Sequence, residues 1–329
     1  TDGTKCWGHN ESGQLGDESG TIFSATPVAV HDLASGVQAV SAGQDYTCAL
    51  TVAGSAKCWG YNGTGQLGNR TTTDHWQPAV VNGLSEAVQA VAVGKSHMCT
   101  LTSSGSVKCW GSNRMGQLGN GTRSASWMPV DVSGLTSGIQ AVAVGQSHGC
   151  ALTKAGGVKC WGSNSSGQLG DGTKTERLLP VDVIGLTSDV QAISAGASHT
   201  CALTADGGVK CWGDNSYGQL GNTQPGNSLV PVEVIGLNSP IGAIAAGSLH
   251  TCALTNDGGL MCWGYNLYGQ LGTGTNASSP WPEYASGLVV DVQAVAAGAF
   301  HTCALTSPGH AKCWGYNQYG QLGDGTRED

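Results

Sequence analysis

Residues 199–221 read HTCALTADGGVKCWGDNSYGQLG, and near copies of this segment recur along a chain of 329 residues. The string Cys-Trp-Gly marks each copy, and successive copies are 52 residues apart once and 51 residues apart thereafter. A fixed period of this length is typical of proteins in which each repeat is one structural unit. The seven copies of the string begin at Cys6, Cys58, Cys109, Cys160, Cys211, Cys262 and Cys313.

Each repeat contains four short segments with the pattern of strands. An alternating apolar stretch such as residues 190–195 precedes the two cysteine-containing segments, and a proline-led stretch such as residues 231–234 follows them. Gly-rich turns separate the segments, and none shows a sustained helical period. The pattern predicts an all-β fold, a β-propeller of four-stranded blades. We expect one propeller over 1–329, with repeats 38–88, 89–139, 140–190, 191–241 and 242–292 between the partial repeats 1–37 and 293–329.

The two central segments of a repeat are expected to form a hairpin whose register can be derived. Placing Cys201 opposite Cys211 leaves a three-residue loop that ends at Gly207, and such loops favour glycine at that position. All six copies that contain both cysteine segments have Gly there. Directly opposed cysteines have Cα atoms close enough for a disulfide. We therefore predict one disulfide in each complete blade, with free thiols as the alternative: Cys48–Cys58, Cys99–Cys109, Cys150–Cys160, Cys201–Cys211, Cys252–Cys262 and Cys303–Cys313.

The composition indicates the cellular location of the protein and excludes one class of partner. Six matched cysteine pairs are typical of an oxidising compartment, so we expect a secreted, extracellular or cell-surface protein. The thirteenth cysteine, Cys6, is expected to be unpaired or to pair between molecules. A formal net charge of −8 argues against a nucleic-acid partner, which requires clustered Lys and Arg. No apolar run approaches the roughly 18 residues that span a bilayer.

The repeat W-G-x-N-x-x-G-Q-L-G, the preceding Gly-x-x-His and the following Pro resemble the regulator-of-chromosome-condensation repeat over essentially the whole chain. Known members of that family are seven-bladed propellers, so the resemblance implies seven blades. The founding nuclear member is a guanine-nucleotide exchange factor that also binds chromatin. The predicted disulfides and the acidic balance make this chain more similar to the secreted bacterial members.

The ends of the sequence leave the closure of the ring open. Seven Cys-Trp-Gly segments are present, but only six His-Thr-Cys segments or their equivalents. A ring of six blades is the alternative, with residues 27–30 as the outer strand of the last blade. Three explanations remain: the chain is a piece of a longer repeat protein, it closes imperfectly, or a neighbouring molecule completes its blades by strand addition.

No catalytic, metal-binding or cofactor-binding constellation is expected. His97, His148, His199, His250 and His301 recur once per repeat, which spreads them around a ring rather than within the few ångströms that zinc ligands span. Gly145–Gly149 matches a Gly-x-Ser-x-Gly nucleophile motif, but it lies between two strands instead of a strand and a helix. We therefore predict that the protein is not an enzyme.

Candidate binding residues lie where the copies differ. One set, in the variable segments after Gly-Gln-Leu-Gly, comprises Phe23, Trp76, Trp127 and Trp281, whose alternative role is to cover the outer strand. A second set follows the Trp-Gly strand in three consecutive copies. The alternative is that Tyr is simply common at these positions in the family and has no binding role here. The set comprises Tyr217, Tyr265, Tyr268, Tyr316 and Tyr319.

These observations predict an extracellular, non-catalytic binding module that presents variable loops on one propeller face to a protein or glycan. The first alternative is a structural subunit of an extracellular assembly or filament that is completed by strand exchange. The second, less favoured, is a guanine-nucleotide exchange factor.

Overall fold

A computed structural model describes residues 3–329 of the chain as a series of antiparallel sheets. Five sheets have four strands each, which pair in the order of the sequence. We number them blades 1 to 5. Blade 1 consists of β3 (Val37–Ala42), β4 (Tyr46–Thr51), β5 (Ala56–Gly60) and β6 (His75–Val80), and blade 2 consists of β7 (Val88–Val93), β8 (His97–Thr102), β9 (Val107–Gly111) and β10 (Ser126–Asp131). Blade 3 consists of β11 (Ile139–Val144), β12 (His148–Thr153), β13 (Val158–Gly162) and β14 (Arg177–Asp182), and blade 4 consists of β15 (Val190–Ala195), β16 (His199–Thr204), β17 (Val209–Gly213) and β18 (Ser228–Glu233). Blade 5 consists of β19 (Ile241–Ala246), β20 (His250–Thr255), β21 (Leu260–Gly264) and β22 (Ser279–Tyr284).

The expectation of seven blades is wrong. The sixth blade has three strands, and the only other sheet within residues 3–329 has two strands and no disulfide, so the described residues form six blades. Blade 6 consists of β23 (Val292–Ala297), β24 (His301–Thr306) and β25 (His310–Gly315). The two-stranded sheet consists of β1 (Lys5–His9) and β2 (Phe23–Ala29). Within residues 3–36 only these two strands are present, and a Cys-Trp-Gly copy without its inner neighbours does not make a blade.

The six-blade alternative placed residues 27–30 on the last blade, and that pairing is not observed. Residues 27–29 belong to β2, which pairs with β1 rather than with β25. The two-stranded sheet instead lies between blade 6 and blade 1. Trp7 Nε1 donates a hydrogen bond to the carbonyl of Gln321 on one side, and Trp59 Nε1 donates one to the carbonyl of Gln14 on the other.

The same tryptophan bond joins every pair of neighbouring sheets. The indole N–H of each Cys-Trp-Gly strand reaches the carbonyl of the glutamine in the Gly-Gln-Leu-Gly loop of the preceding sheet, at 2.9–3.0 Å. Five of these tryptophans are fully buried. The bonds between blades are Trp110–Gln66, Trp161–Gln117, Trp212–Gln168, Trp263–Gln219 and Trp314–Gln270. The repeat therefore encodes the inter-sheet contact as well as the strands.

The hairpins have the register that the cysteine spacing predicts. In blade 4, Cys201 lies opposite Cys211 and Leu203 opposite Val209. The loop glycine, Gly207, has a φ of +83°, which only glycine adopts readily. All six predicted pairs are disulfide-bonded, with Cα atoms 4.1 Å apart.

The core consists of separate apolar clusters between neighbouring sheets rather than one central cluster. Between blades 4 and 5, for example, the disulfide of blade 4 and Leu203 pack against Trp263 and Ala253 of blade 5. Within residues 3–329, no helix has the length and apolar character needed to cross a membrane.

Candidate functional site

The antiparallel strands of each blade divide its loops between two faces. The loop between the first and second strands lies on the same side as the long loop between the third and fourth strands, because these loops join the same ends of neighbouring strands. We call this side the loop face. The short disulfide-linked hairpins turn on the opposite side. Loops on a fixed β framework commonly carry the binding residues of a protein.

Seven aromatic rings form a continuous cluster on the loop face, which we call the aromatic arc. Ring centroids lie 4.7 Å apart for Tyr217 and Tyr265, and 4.8 Å apart for Tyr268 and Tyr316. These pairs have the edge-to-face geometry that aromatic rings favour. The arc extends from blade 4 across blades 5 and 6 to the two-stranded sheet. Its members are Tyr217, Tyr265, Tyr268, Phe300, Tyr316, Tyr319 and His9.

The structure thus brings together the five tyrosines singled out from the sequence and adds two rings. Phe300 lies within 6.4 Å of Tyr265, Tyr268 and Tyr316, and His9 lies 4.5 Å from Tyr319. A signal for Phe300 was present in the sequence. It occupies the position before the blade histidine that is Ser in three copies, and Phe occurs only twice in the chain.

The repeat holds the tyrosine-bearing loops in a fixed conformation. The backbone N–H of Tyr268 donates to the side-chain oxygen of Gln270, and the N–H of Leu271 donates to the side-chain oxygen of Asn266. The N–H of Tyr265 reaches the carbonyl of Leu249 at 2.9 Å. The invariant Asn and Gln of the motif therefore stabilise the loop from within, which leaves the tyrosine side chain free to vary among copies.

The other copies carry no such cluster. The positions of Tyr265 and Tyr268 are occupied by Ser163 and Ser166 in blade 3, and by Ser112 and Met115 in blade 2. In blade 1 an exposed tyrosine, Tyr61, occupies the first of the two positions, but it has no aromatic neighbour within the arc. The repeat fold does not require these aromatic residues, since other blades form without them. A role of the surface on this side of the loop face therefore explains them better than a role in folding.

Carboxylates lie at both ends of the arc. At one end, Asp214 accepts hydrogen bonds from Gln219 Nε2 and Ser216 Oγ, each at 2.7 Å. At the other end, the ring of His9 lies 3.4 Å from Glu11 and 3.6 Å from Asp45. Burial raises the pKa of Asp45, and the neighbouring His9 and Lys95 act in the opposite direction.

The second predicted set, from the outer strands, is not brought together. Trp76 and Trp127 cover Gly13 and Gly65, the glycines that precede Gln-Leu in the preceding sheet, so closely that a Cβ at either glycine would collide with the indole. Trp281 is 41% exposed in the outer strand of blade 5, and Phe23 lies in the outer strand of the two-stranded sheet. These four residues are spread around the rim of the molecule, and the contacts of Trp76 and Trp127 are contacts between sheets.

Three of the five blade histidines make a side-chain hydrogen bond to the next blade. His199 Nε2 lies 3.0 Å from Thr251 Oγ1 of the next blade, and the Thr251 hydroxyl donates to the carbonyl of Gln219. Because that hydroxyl has a single proton, His199 Nε2 must carry the proton it shares with Thr251. His148 and His250 make the equivalent bonds to Thr200 and Thr302. Over residues 3–329, no three His, Cys, Asp or Glu side chains are grouped to hold a metal ion.

Cys6 is free and half-buried on β1. Burial, with a smaller contribution from Asp17, raises the pKa of its thiol to about 12. The thiolate, which is the nucleophile in disulfide exchange, is therefore scarce at neutral pH.

Comparison with known proteins connects this architecture to a described family. The RCC1-like domain matches residues 3–289, and the regulator of chromosome condensation (RCC1) repeat matches residues 292–321. The ultraviolet-B receptor UVR8 of Arabidopsis thaliana is 33% identical over 330 residues, which cover 98% of this chain and 75% of the receptor. The structure of human WBSCR16 superimposes with a TM-score of 0.89 at 25% identity, covering all of this chain and 92% of the other. Prp20p of Saccharomyces cerevisiae, studied with its binding to Gsp1p and histones, has a TM-score of 0.87 at 26% identity, covering 99% of this chain and 83% of Prp20p.

Proposed function

Because the chain belongs to the RCC1-like family, whose propellers act mainly by binding and regulation, we propose that it is a non-catalytic binding module that holds a protein partner on the aromatic arc. The relatives support the general class of function. The position of the binding surface rests on the structure of this chain alone.

The aromatic arc is the observation that carries the proposal. Tyrosine is among the residues most enriched in the energetic centres of protein interfaces, because a rigid ring contributes a large apolar contact and a hydroxyl that can donate a hydrogen bond. Tyr217 is 43% exposed and Tyr319 is 39% exposed, and the rings between them are half-buried. A row of partly exposed rings, fixed by their own loops, loses little conformational entropy when a partner binds.

The proposal places the protein outside the reducing compartments of the cell, as a secreted or cell-surface member of its family. Its support is the set of six disulfides, since a cytosolic protein rarely keeps one disulfide in every repeat. The test is an assay of free thiols on protein from its native source under denaturing conditions. One reactive thiol, that of Cys6, is expected, and thirteen would contradict an extracellular location.

An exchange-factor function is a second candidate. The likeness to Prp20p, a protein that binds Gsp1p, is the observation in its favour. The six disulfides argue against it, because such a function requires a compartment that keeps thiols reduced.

The experiment for the arc is selection from a random peptide library on the immobilised, oxidised protein. Selected peptides are then measured against Tyr268→Ala and against Tyr61→Ala, the matched control at an exposed tyrosine outside the arc. We expect at least a tenfold loss of affinity for Tyr268→Ala and less than a twofold change for Tyr61→Ala. Peptides that bind Tyr268→Ala as tightly as the unaltered chain would refute the arc as the binding surface.

A further inference from the structure

The charged residues of the loop face are divided between its two sides. The loops of blades 4 to 6 and of the two-stranded sheet, which carry the aromatic arc, contain one cation, Arg327. They contain seven carboxylates: Glu11, Asp17, Glu18, Asp214, Asp324, Glu328 and Asp329. The corresponding loops of blades 1 to 3 contain five cations and four carboxylates: Arg70, Lys95, Arg114, Arg123 and Lys174, with Asp45, Asp74, Asp171 and Glu176. Seven carboxylates against one cation on the arc side, and four against five on the other, concentrate the negative charge of this face around the arc.

The single cation on the aromatic side is already stacked on a ring. The guanidinium carbon of Arg327 lies 4.6 Å from the centroid of Phe23, and Arg327 Nε donates to the carbonyl of Gln318, next to Tyr319. The molecule thus contains, at the edge of the arc, the kind of contact that an external guanidinium could make with the tyrosines. A cation over an aromatic face is attracted by the ring quadrupole, and the attraction increases as the pair loses water.

Hydrogen bonds from neighbouring groups hold the carboxylates at the two ends of the aromatic arc in place. Asp214 is fixed by Gln219 and Ser216, and hydrogen bonds from Thr326 lower the pKa of Asp324. The carboxylate of Asp329 accepts from the backbone N–H of Asn317, the residue after Tyr316. Ring faces flanked by ordered carboxylates suit a ligand that combines positive charge with a planar or apolar surface. An acidic ligand would be repelled, and a neutral sugar, although it can donate hydrogen bonds to carboxylates, brings no positive charge to pair with them.

We infer that the partner held on the aromatic arc presents a segment rich in arginine or lysine, whose cations stack on the tyrosines and pair with the flanking carboxylates. This inference rests on the proposed function, because it assigns the chemistry of the ligand to the same surface. Arginine fits better than lysine, since its planar guanidinium stacks on rings and also binds a carboxylate through two N–H groups.

The test compares three labelled peptides of equal length on the oxidised protein. The first carries three arginines separated by apolar residues, the second carries citrulline, and the third carries glutamate at the same positions. Citrulline keeps the shape of arginine and removes its charge. We expect the arginine peptide to bind at least tenfold more tightly than the citrulline peptide, and the glutamate peptide to bind most weakly. Raising the salt concentration should reduce this preference.

Two variants separate the contribution of the carboxylates to binding from that of the rings. Asp214→Asn with Glu11→Gln should reduce the affinity for the arginine peptide three- to tenfold and leave the affinity for the citrulline peptide unchanged. Tyr268→Ala should reduce the affinity for both peptides. Asp131→Asn, at an exposed carboxylate on the outer strand of blade 2, is the control.

The outcomes distinguish this inference from the proposed function. Equal binding of the arginine and citrulline peptides, with loss of both in Tyr268→Ala, would overturn the inference and leave the arc as a protein-binding surface. Binding of the arginine peptide that is unaffected by Tyr268→Ala would overturn both. Displacement of bound peptide by a neutral oligosaccharide, with no arginine preference, would identify a glycan site and also overturn both.

Discussion

At the scale of single residues, the buried histidines connect the repeat to the pH dependence of folding. Burial lowers the pKa of His97, His199 and His250 to about 3 and that of His148 to about 4. The hydrogen bond explains the preference for the neutral ring in His148, His199 and His250. Their Nε2 proton is used between blades, and their Nδ1 atom lies buried with no partner, so a second proton would be an unsatisfied buried donor.

The sign of the effect follows from proton binding. An unfolded histidine has a pKa of about 6.5, so between pH 6.5 and about 4 the unfolded chain binds more protons than the folded one. The stabilisation is complete above pH 6.5 and is lost as the pH falls, by about 1.4 kcal/mol per pH unit for each histidine. Urea unfolding at pH 7.5, 5.5 and 4.5 measures this slope. His199→Gln should reduce the slope by the contribution of one histidine, about 1.4 kcal/mol per pH unit.

The tryptophans permit a second test at this scale. Trp212 is fully buried and bonded to the carbonyl of Gln168, whereas Trp314 makes the equivalent bond in blade 6 but is only partly buried. Trp212→Ala should cost about 3–5 kcal/mol of unfolding free energy, and Trp314→Ala should cost clearly less. Denaturant unfolding followed by circular dichroism measures both. Equal losses would show that burial does not set the contribution of this residue.

The positions of the repeated residues were predictable from the sequence, but their contacts were not. The spacing spread the histidines around the ring, and the structure adds that His148, His199 and His250 each contact a threonine of the next blade. The tyrosines were singled out because they vary among copies. Their contact with His9 could not be derived, since it joins residues about 310 positions apart and depends on how the last blade meets the two-stranded sheet.

At the scale of the strands, the hairpins were predictable and the outer strands were less so. Two cysteines ten residues apart and a glycine in the loop specify one register, and that register is observed. The outer strand was expected from Pro231, but β18 begins at Ser228. Ser228 pairs with Gly213 beyond an irregularity in the ladder, and a bulge of this kind follows from local backbone geometry that the apolar pattern does not encode.

The disulfides differ in accessibility, which gives a prediction at the same scale. Ten of the bonded cysteines, in blades 1 to 5, have no exposed surface, whereas Cys303 and Cys313 in blade 6 are half-buried. Because exchange requires attack by a thiolate on an accessible sulfur, blade 6 should be reduced first. Limited treatment with a small thiol reductant, followed by alkylation and peptide mass mapping, should label Cys303 and Cys313 before any other pair. Simultaneous labelling of all six pairs would indicate global unfolding instead.

At the scale of the whole molecule, counting motifs overestimated the number of blades. Seven Cys-Trp-Gly copies are present, and all seven form strands, but the first pairs only with the outer strand β2. A blade requires its inner strands as well as its marker strand. The motif nevertheless predicts how neighbouring sheets meet, since the tryptophan bond is present wherever the motif is, including the contact between blade 6 and the two-stranded sheet.

This arrangement implies that energetic coupling in the ring extends only to the nearest neighbour, as in other repeat architectures. His199 of blade 4 contacts Thr251 of blade 5, whereas His148 of blade 3 contacts Thr200 of blade 4 and not Thr251.

A double-mutant cycle of His199→Ala and Thr251→Val should therefore give a coupling energy of about 1 kcal/mol, the net value of one buried hydrogen bond. The cycle of His148→Ala with Thr251→Val, two blades apart, should be additive to within about 0.5 kcal/mol. Chemical unfolding at pH 7.5 provides all the free energies. Coupling of similar size in both cycles would mean that strain passes around the ring, and a partner bound to the aromatic arc of blades 4 to 6 could then alter the stability of blades 1 to 3.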